Sequence, residues 1–158
     1  MEWYDTYFVD ADPRGVLNFM LEMNWHKIDE KSFNGFKLTT YELAGKSTFF
    51  LGPENVTWRH ESLGEGKSLE GFAYGRSPRT DERGVWVTIY WGSEGDTAKN
   101  LKSSLRLQDA EGKTIVQKDN LLLDNSHRYT SAWGPGSKVM DHAYLAPSYP
   151  IPDGHSRL

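Results

Sequence analysis

Val85-Trp86-Val87-Thr88-Ile89-Tyr90-Trp91 is seven consecutive residues, each β-branched or aromatic, with no Gly, Pro or charge among them. Side chains of this shape suit a pleated, covered surface, so the stretch predicts a β-strand. A period of two puts Val85, Val87, Ile89 and Trp91 on one face and Trp86, Thr88 and Tyr90 on the other. The first set suits a core. The second is aromatic as well, so either both faces are covered or one displays aromatics for binding. Whether Trp86 and Tyr90 are covered by the N-terminal residues or open to solvent is the functional question.

Working outward, short strand patterns flank this one on both sides. Residues 68–74 precede it, beyond a polar loop at 77–84. Leu101 to Gln108 alternates Leu101, Leu105 and Leu107 with polar residues, and Asp109-Ala110-Glu111-Gly112 forms a turn into a returning strand at 113–118. Leu121-Leu122-Leu123 is a short apolar run, and 138–145 is the last strand. Weaker strand patterns lie at 48–51 and 56–61. Pro147, Pro150 and Pro152 set an extended tail. Short strands at this spacing, with turn residues between them and no repeat, predict an antiparallel β-sandwich, immunoglobulin/fibronectin-like or jelly-roll-like, over 48–158.

The first 45 residues read differently. A strand over 3–9 is followed by Asp12 as N-cap and Pro13 at the first helical position. Val16, Leu17, Met20 and Leu21 then recur at helical spacing, which predicts a helix from Pro13 to Met23. Strands at 25–33 and 36–43 flank Asn34-Gly35, a hairpin turn pair. The fold class is therefore mainly β, with a small N-terminal α/β unit (1–45) containing one helix. Ala44-Gly45-Lys46-Ser47 is the expected boundary.

Composition narrows the function. The chain has 158 residues, 37% of them hydrophobic, with mean hydropathy −0.66 and no run near the ~18 apolar residues of a membrane span. No signal peptide precedes Glu2-Trp3-Tyr4-Asp5, and both ends read as cut, so a piece of a larger protein is expected. A net charge of −4 with scattered Lys and Arg argues against nucleic acid. The absence of cysteine removes disulfides and thiolate zinc sites. His26, His60, His127, His142 and His155 have no metal-ligand spacing, so no metal and no cofactor are expected. Gly64-Glu65-Gly66-Lys67-Ser68 lacks the leading Gly of a phosphate loop and reads as a flexible turn. No Gly-x-Ser-x-Gly elbow occurs, and paired acids such as Asp81/Glu82 and Asp109/Glu111 fall in turns. Aromatics are abundant, with 6 Trp, 8 Tyr and 7 Phe. Trp58, Trp86, Tyr90, Tyr129 and Trp133 are the candidates for a sugar-stacking platform, and core packing is the alternative for each.

Several stretches carry a family resemblance. Glu70-Gly71-Phe72-Ala73-Tyr74, Thr88-Ile89-Tyr90-Trp91 and the segment Leu105 to Gln117 resemble a β-sandwich region at the C-terminus of bacterial polytopic membrane proteins. These are glycosyltransferases of the polyprenyl-phosphate mannosyltransferase-like kind. Tyr129 to Gly136 with Asp141 is similar to that family's Thr-x-x-Trp-x-x-Gly segment and following Asp, and Pro152-Asp153-Gly154 looks like its Pro-x-Gly turn. Asp12-Pro13-Arg14-Gly15 and Glu30 to Leu38 look like the end of the soluble segment that precedes the sandwich. The family's last strands would continue beyond Leu158. No stretch matches its catalytic loop. The resemblance implies a non-catalytic accessory domain on the extracytoplasmic side of the cell membrane. Its partners would be a glycan or protein acceptor and the rest of the membrane protein. A freestanding carbohydrate-binding module is the alternative, and a soluble hydrolase a third class.

Overall fold

The computed structural model describes residues 14, 16–42, 55–76 and 84–147. The chain divides into two compact units, Met1–Gly52 and Pro53–Leu158. The expected strands at 3–9 and 48–51, the Asp12–Pro13 helix start, the boundary at 44–47, most of the 77–84 loop and the tail from 148 lie outside the described residues.

In the first unit, helix α1 covers Val16–Asn24. Strands β1 (His26–Phe33) and β2 (Phe36–Glu42) form an antiparallel hairpin closed by Asn34-Gly35, with Phe33 opposite Phe36. Gly35 takes φ +78, which is why glycine closes this turn. The apolar residues of β1 do not alternate regularly, because its pairing shifts between Lys27 and Asp29. Glu30 lies 3.2 Å from Lys27 and 2.9 Å from Lys37.

The second unit is an antiparallel sandwich. Strands β3 (Thr57–Gly64), β4 (Lys67–Arg76), β5 (Val85–Ser93) and β8 (Lys138–Leu145) form one sheet in the order β3-β4-β5-β8. Strands β6 (Lys102–Gln108) and β7 (Thr114–Leu121) form a two-stranded ribbon against it. Val85–Trp91 lies in a central strand of the larger sheet, with β4 and β8 as neighbours.

Val85, Val87 and Ile89 form a buried cluster with Leu145 of β8 and Leu107 of β6. Leu69, Trp91, Leu105 and Val116 pack around it. Each aliphatic side chain so buried contributes roughly 1.5–3 kcal/mol. A second cluster joins Leu122, Trp133 and Val139, and Trp91 touches both clusters. The Leu121–Leu123 run thus ends β7 and turns Leu122 and Leu123 into the interior.

The Gly64–Ser68 segment is the turn between β3 and β4, as its glycines predict. Glu65 and Gly66 both take positive φ, +52 and +64, the geometry of a tight two-residue hairpin. Gly66 O accepts from Glu94 N at 2.9 Å and Gly95 N at 3.2 Å. Buried Lys67 donates to Ser93 Oγ and Gly95 O, both at 2.8 Å. Burial lowers the Lys67 pKa, and Asp96 opposes that shift. The lysine ties a loop across the sheet end and offers no charge to a phosphate.

Leu107, 2% exposed, is the ribbon residue buried in the main cluster. Leu107→Ala is expected to cost about 2–5 kcal/mol in equilibrium denaturation, with an unchanged strand signal in circular dichroism. A loss below about 0.5 kcal/mol would mean that the ribbon does not close the core.

Candidate functional site

The outward face of β5 carries the candidate site. Trp86, Thr88, Tyr90 and Gly92 alternate along this face, opposite the aliphatic core set. Thr88 is fully buried and its Oγ1 lies 3.0 Å from His142 Nδ1. This polar pair sits in the middle of the face, between two aromatic positions.

At one end Trp86 is opposite Gly75 in register, and its indole lies directly over the glycine. At the other end Gly71 is paired with both Trp58 of β3 and Tyr90 of β5. With no side chain between them, the two rings meet with centroids 4.9 Å apart and planes tilted by 49°. A Cβ at Gly71 would lie 2.8 Å from Trp58 Cε3 and 3.0 Å from Thr57 O. The missing side chain is therefore what allows the pair. Trp58 is 66% exposed, while Tyr90 is half-buried. Desolvation raises the Tyr90 pKa, which keeps the phenol neutral as a hydrogen-bonding group.

Beyond Tyr90 the face turns polar. Glu70 lies over Gly92, where no side chain obstructs it. Ser68 Oγ donates to Glu70 Oε1 at 2.6 Å, and His60 Nδ1 is 3.1 Å from the same oxygen. His60 Nε2 is 2.8 Å from Glu94 Oε1. The Ser68 hydroxyl holds the Glu70 carboxyl below its ordinary pKa, opposed by desolvation and aided by His60 and Lys138. The two ring nitrogens of His60 point to different carboxylates, so these three groups do not converge on one ion. Among the described residues no cluster of His, Asp or Glu could hold a metal.

The platform candidates thus separate. Trp58 and Tyr90 form one tilted ring pair, and Trp86 lies further along the same face. Tyr129 is 45% exposed and sits in a different place, next to the short 3-10 helix Thr130–Ala132, paired to Leu123 by an isolated bridge. Trp133 is corrected to a core residue: it is 1% exposed, and its Nε1 donates to Arg128 O at 3.1 Å. A ring buried on all sides has no face to offer a sugar. Sequence reasoning missed His60, Glu70 and Glu94. The pairing of β3 with β4 shifts twice, between Trp58 and Glu61 and between Ser62 and Gly64, so counting back from the turn does not bring His60 to Glu70.

The loop carrying Tyr129 is built on Asp124. Its Oδ1 accepts from Ser126 N at 2.8 Å and Arg128 N at 2.9 Å, and its Oδ2 from Arg128 Nε at 2.8 Å. Burial pushes the Asp124 pKa up, but these bonds and the Arg128 charge outweigh it, and the net shift is downward.

Comparison of the chain with family models, curated proteins and solved structures finds no match. The resemblance described above therefore stands on its quoted residues alone.

Two outcomes follow from this geometry. Gly71→Ala should force Trp58 off Tyr90 and cost about 1–3 kcal/mol, read by denaturation and by a shift in tryptophan emission. An unchanged emission spectrum would contradict the packed pair. Asp124, with its lowered pKa, stabilises the fold above the unfolded-state value of about 3.8, and this contribution is lost as pH falls through the lower folded value. Asp124→Asn should therefore cost about 1–3 kcal/mol at pH 7, and the difference from wild type should shrink in acid. A difference that stays constant down to pH 2 would assign the loss to something other than the carboxylate.

Proposed function

We propose that this chain is a non-catalytic accessory domain that holds a glycan on the outward face of the β3-β4-β5-β8 sheet. One observation carries the reading: an exposed indole packed at a tilt against a half-buried tyrosine, with a carboxylate–imidazole cluster on the same face. Sugar C–H faces pack on aromatic rings, and flanking charged groups accept and donate to the hydroxyls around them. Trp58 supplies the apolar surface. Glu70 and Glu94 supply acceptors, already ordered by their contacts with the two ring nitrogens of His60. Such ordering lowers the entropic cost of binding.

The resemblance to the sandwich region of polyprenyl-phosphate mannosyltransferase-like membrane proteins supports the accessory role. On that reading the domain works on the extracytoplasmic side, beside a membrane-embedded catalytic part, and positions the acceptor glycan for it. No helix among the described residues is long and apolar enough to cross a membrane. The buried Lys67–Ser93 pair resembles the nucleophile–base pairing of some hydrolases, but its groups are spent on the loop at Gly95 and Trp133.

The test is a glycan array followed by titration of the best ligand, read by tryptophan fluorescence. Trp58→Ala should weaken binding at least about tenfold, roughly 1.4 kcal/mol, with little change in melting temperature. Silence across the array, or equal binding by Trp58→Ala, would sink the proposal.

A further inference from the structure

The opposite face of β5 carries a second feature, independent of the glycan reading. The four-stranded sheet is about twice as wide as the two-stranded ribbon that covers it, since neighbouring strands lie about 4.8 Å apart. Val85, Val87 and Ile89 are under the ribbon. Over the next strand the cover stops. There a cleft of about 480 Å³ runs between β4 and β6, with Leu69, Phe72 and Tyr74 among its apolar lining and Ser104 and Arg106 on its β6 side. The Phe72 and Tyr74 rings lie 6.2 Å apart and nearly parallel, on the inward face of β4.

The wall on the β6 side is an open strand edge. The hydrogen bond from Leu122 N to Leu101 O fixes the ladder phase. Continuing the register, Ser103, Leu105 and Leu107 exchange backbone bonds with β7, while Lys102, Ser104 and Arg106 form the wide pairs. The backbone N–H and C=O groups of these three therefore point away from β7. No strand pairs with that edge among the described residues. Two of the three, Ser104 and Arg106, line the cleft. An unpaired row of backbone groups beside an apolar floor one strand wide fits one kind of occupant, an extended peptide.

The geometry points to strand addition: β6 takes an extended segment of a partner protein, which pairs with its open edge and lays alternate apolar side chains on Phe72 and Tyr74. Charge biases the other half of the pattern, since Lys102 and Arg106 flank the single carboxylate of Asp119 and leave this edge net positive. Lys102 and Arg106 are exposed on the solvent face of the ribbon, and the added strand's outward side chains lie directly beside them. The favoured segment therefore alternates apolar residues with Glu or Asp.

The probe is a capped, fluorescein-labelled peptide of alternating Val and Glu, as long as the seven-residue β6, with an alternating Val and Lys peptide as control. Fluorescence anisotropy with the full chain should show saturable binding of the acidic peptide, at least about tenfold tighter than the basic one at low salt. Ser104→Pro removes an outward N–H and no ladder bond, so it should melt like wild type and lose the peptide. Tyr74→Lys, at a 57% exposed floor position, should weaken binding as well and serves as the test if Ser104→Pro does not fold. No binding of the acidic peptide at millimolar concentration, or unchanged binding by Tyr74→Lys, would overturn the inference. So would a concentration-dependent dimer that Ser104→Pro dissolves, since the edge would then belong to a second copy of this chain.

Discussion

The packing of Val85, Val87 and Ile89 against Leu107 and Leu145 is the contact on which the sheet unit depends. It takes these apolar side chains of β5 out of water together. It also decides what the other face must do. Once one set of alternating side chains is committed inward, Trp86, Thr88, Tyr90 and Gly92 are committed outward. A one-residue slip would exchange the two sets and expose the aliphatic row. The eight-pair ladder between β5 and β8 runs from Val85–Leu145 to Gly92–Lys138 with no irregularity, which locks that choice.

What was legible follows from that constraint. The seven-residue run predicts a strand, and the structure extends it to Gly92 and Ser93. The 138–145 strand, the Leu101–Gln108 alternation and the Asn34-Gly35 hairpin were legible because side-chain period and turn chemistry agree there. The weak signal at 56–61 was hard to read for a physical reason. Every residue of β3 is exposed, so no buried face imposes alternation on it, and its pairing shifts twice. For Trp133 the sequence leaves platform and core both open, because a tryptophan outside any strand pattern gives no clue to its cover. Its burial comes from Leu122 and Val139, distant in sequence, and from an N–H bond that the Asp124 loop positions.

The candidate site shows the same division. Aromatic residues announce themselves by type, and Trp58 and Tyr90 could be named without a structure. Their meeting could not, because it depends on Gly71, a residue that contributes by what it lacks. The acid–imidazole cluster is further from reach, since His60, Glu70 and Glu94 come from three segments. Glycines recur as the devices that shape this face: Gly71 admits the ring pair, Gly75 underlies Trp86, and Gly92 admits Glu70.

The β5–β8 ladder has a consequence for how the unit assembles. Strands β3 and β4 are joined by a two-residue turn, and β6 and β7 by a short one, so both hairpins form from local contacts. Strand β8, by contrast, reaches β5 only after residues 94–137 have been gathered into a closed loop, and that loop contains the whole ribbon. The entropy of closing it must be met before its pairing contributes anything, and non-local pairings of this kind fold slowly. Pairing of β8 with β5 therefore carries the largest loop-closure cost in the four-stranded sheet. Until then β5 presents an unpaired edge and an uncovered aliphatic row to solvent, and its seven uncharged β-branched and aromatic residues have the composition of a misassociation-prone segment.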